Sequence, residues 1–196
     1  MSQVLISAEL ADLLDVGLLT GHDITWLTPG EPVPSGNFAA VIPSIPRTLG
    51  PAELERLPEL RVVANFTVGV DNLDLAALAK RRVVVTNSPD VLTEATADLA
   101  WTLILAACRR VKEGQEVVRT GDWSGFHPTL LLGRELRSAT LGIIGAGRIG
   151  QAVGRRALGF GMSILYTARS QKGDFEDEVG ARRSSLGDLL DRKSVV

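Results

Sequence analysis

The chain has 196 residues, 45% of them hydrophobic, which suffices for one large domain or two small ones to bury a sizeable core. Its net charge of −2, with 21 basic residues scattered rather than massed, argues against a nucleic-acid partner. The single cysteine, Cys108, excludes an intrachain disulfide and a cysteine-based zinc site, and it fits a reducing cytoplasm. The N-terminus, MSQVLISAEL, has no basic stretch and carries early carboxylates at Glu9 and Asp12, so it does not read as a secretory signal. The longest apolar run, Leu99 to Cys108, is too short to span a bilayer, so no membrane partner is expected. His22 and His127 have no ligand-spaced neighbours, so no metal site is expected either.

In chain order, strand-like runs fall at Val4 to Ile6, Ile24 to Leu27, Ala39 to Ile42, Arg61 to Phe66 and Val83 to Thr86. Helical patterns separate them at Glu9 to Leu14, at Ala52 to Leu57 and at Leu73 to Lys80. Pro51 suits a first helical position and Pro58 stops its run. The alternation is that of βαβ units and predicts a mostly parallel sheet. A long apolar helix then starts with Thr93 as N-cap, runs through Ala97, Trp101 and Leu105, and ends in Arg109 and Arg110, like a connector. A second helix, Val111 to Arg119, leads into a loop from Gly121 to Gly133.

The stretch from Thr140 to Gly150, TLGIIGAGRIG, carries the strongest signal. Leu141, Ile143 and Ile144 form a strand that runs directly into Gly145, Gly147 and Gly150, and Gln151 to Phe160 continue as a helix. Glycine at the first position permits a tight turn, at the second a close approach of backbone to a pyrophosphate, and at the third close packing of helix on strand. The helix N-terminus then presents free N–H groups and a partial positive charge to the anion. A second strand, Ser163 to Thr167, follows, and then a short helix, Ser185 to Leu190, beyond which a third strand is expected. A complete doubly wound domain has six strands, so this one reads as unfinished. The last six residues, Asp191-Arg192-Lys193-Ser194-Val195-Val196, read like a translated sequencing adapter, which predicts a non-native tail on an incomplete gene. The expected divisions are therefore 1–97, 98–139 for connecting helices and loop, 140–190, and 191–196.

The exit of the second strand bears on the choice of dinucleotide. Sites for NAD usually place an Asp or Glu there, about 20 residues beyond the glycines, to hold the ribose hydroxyls. No acidic residue occurs from Gln151 to Gly173, and the strand opens instead into Ala168-Arg169-Ser170-Gln171-Lys172. The cluster of Arg169, Ser170 and Lys172 suits the 2′-phosphate of NADP(H), which is favoured over NAD(H). The alternative is that these are solvated loop charges and that NAD(H) binds without an acidic anchor.

Several separated segments together resemble the D-isomer-specific 2-hydroxyacid dehydrogenase family over the whole chain. They are TVGVDN at Thr67 to Asn72, VTNSP at Val85 to Pro89, LTEATADLA at Leu92 to Ala100, GDW at Gly121 to Trp123, and the glycine fingerprint with Arg148 and Ile149. LYTARS, at the second-strand exit, is most similar to the family's NADPH-using glyoxylate and hydroxypyruvate reductases. The resemblance implies a flavodoxin-like substrate domain followed by a Rossmann domain, and NADPH-dependent reduction of a small 2-keto acid. It implies that Val68 and Gly69 offer N–H groups to the substrate carboxylate, that Thr96 touches the cofactor near the nicotinamide, and that Arg148 and Ile149 line the pyrophosphate and adenosine. Trp101 and the loop near Trp123 would serve packing or a homodimer contact. The family's catalytic Arg, Glu and His lie beyond this chain, so no catalytic residue is assigned within it and the chain alone is expected to be inactive and poorly stable. The alternatives are a dinucleotide-sensing corepressor like the C-terminal-binding proteins, an NAD-dependent relative such as phosphoglycerate dehydrogenase and, more remotely, a methyltransferase cofactor loop.

Overall fold

The computed structural model describes residues 1–45 and 47–192, and the chain divides after Val91 into two compact units. The first unit is built on five parallel strands: β1 (Ser2–Ser7), β2 (His22–Leu27), β3 (Phe38–Ile42), β4 (Val62–Ala64) and β5 (Val84–Thr86). Their order, β2-β1-β3-β4-β5, is the flavodoxin-like doubly wound arrangement. In register, Val4 faces Ile24 on one side and Ala40 on the other. Alternate side chains go to opposite faces: Leu5, Val41 and Val63 join Leu49, Leu54, Leu57 and Leu78 in one core, while Val4 and Ile6 pack with Leu10 in the other. Burial on both faces is why β1 reads as the unbroken apolar run Val4-Leu5-Ile6.

Two short helices flank this sheet. In α1 (Pro51–Glu55), Pro51 takes a position whose N–H would be unused, and the Gly50 N–H donates to Glu53 Oε2 at 2.9 Å. Arg81 then donates to the carbonyls of Leu54, Leu57 and Pro58, supplying partners past the end of that helix. Asp74 caps α2 (Leu75–Lys80) by accepting from the Ala77 N–H at 2.9 Å. The expected helix from Glu9 to Leu14 does not form. A single 3-10 turn, Ala8–Leu10, gives way to bends, and Asp15 starts another at Val16–Leu19 by accepting from the Gly17 N–H. Of that stretch only Leu10 is buried and Leu14 packs partly against the same cluster, which is too little burial to offset the cost of nucleating a helix.

The second unit holds α3 (Thr93–Cys108), α4 (Val111–Thr120) and three parallel strands, β6 (Thr140–Ile144), β7 (Ser163–Thr167) and β8 (Arg182–Arg183), in the order β6-β7-β8. Three further helices complete it: α5 (Arg148–Ala157), α6 (Gly173–Val179) and α7 (Leu186–Arg192). Its core gathers Ala97, Trp101, Leu141, Ile143, Ala152, Val153, Ile164, Tyr166, Phe175 and Val179. Thus α3, connector-like in sequence, is a core element of this unit. Trp101 Nε1 donates to the Val153 carbonyl at 2.9 Å, its ring stacks on Phe160 at 4.5 Å, and Arg156 of α5 pairs with Glu94 and Asp98 of α3.

Three details differ from the sequence expectations. Thr93 is the first helical residue rather than the cap: Leu92, already near helical geometry at φ −101° and ψ −2°, holds the cap position without a side-chain bond. The third strand precedes the last helix instead of following it, because β8 is two exposed arginines whose pairing with Leu165 and Tyr166 leaves no apolar alternation to read. Helix α6 is almost wholly polar and is anchored only by Phe175 and Val179, four residues apart. The adapter-like reading falls partly on residues 193–196, which lie outside the described residues. Among the described residues, no helix is long and apolar enough to cross a membrane and no group of His, Cys, Asp and Glu could hold a metal ion.

Candidate functional site

The glycine turn joins β6 to α5, and each glycine meets a different constraint. Gly145 sits at φ +104°, a conformation that strains any side-chain-bearing residue, and its N–H donates to the Thr167 carbonyl at 2.9 Å, tying the turn to the end of β7. Gly147 occupies the N-cap of α5, and a Cβ built there meets nothing within 4 Å. At Gly150 a Cβ would lie 2.3 Å from the Gly145 carbonyl oxygen and 3.1 Å from Ile143 Cγ2, so the first turn of α5 packs on β6 only with glycine. A fourth glycine, Gly154, is a functional neighbour that sequence reasoning missed: its Cβ would lie 2.5 Å from Phe175 Cζ. The signal was available, since Gly154 follows Gly150 by one helical turn on the same face of α5.

The turn and the exit of β7 together form an open groove of about 730 Å³, lined by Ile144, Gly145, Ala146, Gly147, Thr167, Ala168, Arg169, Ser170 and Lys172. No carboxylate is among these residues. Arg148 and Ile149 are exposed at the start of α5, and Thr96 is exposed on α3. Gly145 and Gly147 therefore share one groove with the basic cluster, whereas Gly150, Arg148, Ile149 and Thr96 are not among its lining residues; its volume falls in the range of small-molecule sites. Its concave shape, the bare cap at Gly147 and the N-terminus of α5 fit a dinucleotide pyrophosphate.

The loop after β7 is braced from three sides. The Tyr166 hydroxyl accepts from the Lys172 backbone N–H at 2.8 Å and donates to Glu176 Oε1 at 2.6 Å. Gln171 Nε2 donates to the other oxygen of Glu176 at 2.6 Å, and Lys172 Nζ donates to Ser170 Oγ at 3.1 Å. Arg183 Nη2, from β8, donates to the carbonyls of Ala168 at 2.9 Å and Arg169 at 3.3 Å. Burial, and then the bond to Glu176, raise the Tyr166 phenol above its ordinary pKa. The bonds from Gln171 and Tyr166 hold the Glu176 carboxyl below the usual carboxylate value. Neither Arg183 nor the Tyr166–Glu176 pair was legible in the sequence, because each acts through an element, β8 or α6, that the apolar pattern does not reveal.

In the first unit, Val68 and Gly69 form a turn just past β4, and both carbonyls are occupied. Asn87 Nδ2 donates to the Val68 carbonyl at 2.8 Å, and the Gly69 carbonyl accepts from Asn65 Nδ2 at 2.9 Å and from the Thr67 hydroxyl. Asn65 and Asn72 exchange amide bonds of 3.1 and 3.0 Å, and Asn72 also donates to the Arg47 carbonyl. Asn65 is 2% exposed. Among the described residues the Val68 and Gly69 N–H groups donate to no protein acceptor, so the network fixes the turn while leaving two donors for another molecule. Asn65, Asn72 and Asn87 are positioning residues that were not singled out in the sequence, though Asn72 and Asn87 lie within the quoted motifs.

The parallel sheet, the strand–glycine turn–helix unit and the basic groove at a strand's carboxyl end define an α/β protein with a dinucleotide-binding unit. Residues 101–196 match the family described as D-isomer specific 2-hydroxyacid dehydrogenase, NAD binding domain. A glyoxylate reductase of Thermococcus kodakarensis is 53% identical over 137 residues, covering 68% of this chain and 41% of the relative. Among solved structures, the TT0316 protein of Thermus thermophilus superposes with a TM-score of 0.81 at 37% identity, covering 97% of this chain and 62% of that one. The Aquifex aeolicus D-lactate dehydrogenase, solved with NAD and lactic acid, gives a TM-score of 0.84 at 26% identity over 98% of this chain and 58% of that one. The chain belongs to the D-isomer-specific 2-hydroxyacid dehydrogenase family. It spans less than two thirds of the length of these relatives.

Proposed function

We propose that this chain supplies the substrate-carboxylate turn and the dinucleotide site of an NADPH-dependent reductase of small 2-keto acids, with glyoxylate or hydroxypyruvate as the substrate class. The observation that carries the reading is the groove itself, in which the glycine turn and the cations Arg169 and Lys172 stand together with no carboxylate among the lining residues. Gly145, Gly147 and Gly150 let the pyrophosphate approach the N-terminus of α5, beside Arg148 and Ile149. Arg169, Ser170 and Lys172 take the 2′-phosphate, where a carboxylate would repel it. Thr96 lies toward the nicotinamide. The Val68 and Gly69 N–H groups bind the substrate carboxylate, oriented by the asparagine network. When bound, the cofactor supplies the hydride.

The similarity to glyoxylate reductases supports the substrate class. The family's catalytic acid, carboxylate-binding arginine and their carboxylate partner match no position here, so the reaction belongs to a chain that also carries the part of the relatives not covered by these residues, working as a cytoplasmic homodimer. The 196 residues alone are expected to show no turnover. The test fuses this chain to the matching C-terminal part of the Thermococcus kodakarensis enzyme and follows NADPH consumption with glyoxylate and hydroxypyruvate. Turnover with either acid, lost in the unfused chain, is expected. A well-folded fusion that turns over neither acid overturns the reading.

A further inference from the structure

We propose that Arg183 is the positioning residue that makes the groove selective for a 2′-phosphorylated adenosine. The inference rests on the NADP(H) reading above and adds a residue that no fingerprint contains. Where β7 opens into its loop, the carbonyls of Ala168 and Arg169 sit on the rim that carries the cations. Without Arg183, which does not itself line the groove, both carbonyls lose the side-chain donor that holds them. Arg183 Nη2 covers both, at 2.9 and 3.3 Å. One guanidinium thus neutralises the rim's acceptors, fixes the backbone that presents Arg169 and Ser170, and adds a permanent positive charge beside them.

The rest of the brace acts at the other end of the loop. Tyr166 holds the Lys172 N–H, and Glu176 holds both Tyr166 and Gln171, so the loop's far end stays in place without Arg183. Removing Arg183 therefore breaks hydrogen bonds only at the Ala168–Arg169 end, and takes from Glu176 and Tyr166 no more than the smallest of the influences on them, its charge. The pyrophosphate side is secured separately by the Gly145 N–H bond to Thr167. The consequence is a split in binding: contacts to the 2′-phosphate weaken while those to the rest of the nucleotide hold.

The test is isothermal titration of the 196-residue chain with two probes, 2′,5′-ADP and 5′-AMP, on wild type, R183M and R183K. Methionine keeps an unbranched stem without donor or charge, and lysine keeps a charge and a donor. Wild type is expected to bind 2′,5′-ADP more tightly than 5′-AMP. R183M is expected to lose about tenfold in 2′,5′-ADP affinity, the factor corresponding to one hydrogen bond from a charged group, with 5′-AMP unchanged within about twofold. R183K is expected to recover part of the loss. If R183M retains the wild-type preference, or if both affinities fall together and R183K restores neither, Arg183 is a structural strut and the proposal is overturned while the NADP(H) reading stands. A wild type that binds the two probes equally overturns that reading itself.

Discussion

Gly147 and Gly150 stand three residues apart in one turn, and the structure assigns them opposite sensitivities to alanine. At Gly150 the new Cβ would lie 2.3 Å from the Gly145 carbonyl oxygen, where real Cβ contacts essentially never fall below 3.0 Å. The start of α5 must retreat from β6 by more than half an ångström. Overpacking of this kind costs about 1–3 kcal/mol, and the better helix propensity of alanine returns up to about 1 kcal/mol, so a net loss of about 1–2 kcal/mol is expected. At Gly147 the backbone is extended, with φ −79° and ψ −168°, and the Cβ meets no protein atom, so the unliganded stability should stay within about 0.5 kcal/mol of wild type. In the binding mode proposed above, that Cβ projects where the pyrophosphate approaches. Urea unfolding of both variants gives the stabilities, and NADPH titration gives the affinities. G147A should be as stable as wild type and bind poorly, and G150A should lose both. A destabilised G147A, or a G150A as stable as wild type, would show that the glycines do not hold the turn as described.

Three further outcomes are expected. Trp101→Phe keeps most of the ring but leaves the buried Val153 carbonyl without its 2.9 Å donor; thermal unfolding should show a loss of about 1–2 kcal/mol, and an unchanged midpoint would remove this bond as a link between α3 and α5. Asn65→Ala removes the amide that spans Thr67, Gly69 and Asn72; in the fused enzyme it should raise KM for the keto acid with NADPH affinity unchanged, and an unaltered KM would separate the network from the substrate turn. The Tyr166–Glu176 brace has a defined pH window. Glu176 is lowered on folding, so its contribution is full above its ordinary value of 4.5 and is lost as pH falls through the depressed value; Tyr166 is raised, so its contribution is full below 10.0 and is lost as pH rises through the elevated one. The protection factor of the Lys172 amide, its exchange rate divided into the intrinsic rate at the same pH, should therefore be high between these limits and fall outside them, and a protection factor that does not change with pH would show that the brace does not control the loop.

The elements legible in the sequence were those with apolar periodicity. Strands β1 to β4, β6 and β7 and helices α3 and α5 each bury apolar residues, and their positions follow from that pattern within a few residues, whereas β5 and α4 were placed correctly although neither holds a buried residue. The glycine turn was legible because its chemistry is local: strand, turn and helix start lie within eleven residues. What was not legible depends on partners distant in sequence. The helix expected at Glu9 to Leu14 does not form because the stretch buries little, Leu10 fully and Leu14 in part. Helix α6 and strand β8 carry almost no apolar pattern, since they are held by Phe175 against α5 and by pairing with β7. Glu176 and Arg183 belong to those elements and Tyr166, on the legible β7, acts through Glu176, so the brace behind Arg169 to Lys172 emerged only with the fold. The asparagines behind Val68 and Gly69 were hidden for a like reason: Asn87, which follows β5, reaches the Val68 carbonyl only because β5 pairs with β4.

If the groove between Gly145 and Lys172 is, as proposed, a nicotinamide dinucleotide site built for a 2′-phosphate, calorimetric titration of the chain with NADPH and with NADH shows it without any turnover. Saturable binding of both is expected, with NADPH tighter by about tenfold or more, a gap that shrinks as salt is raised. Equal affinities, tighter binding of NADH, or no binding of either dinucleotide would contradict it.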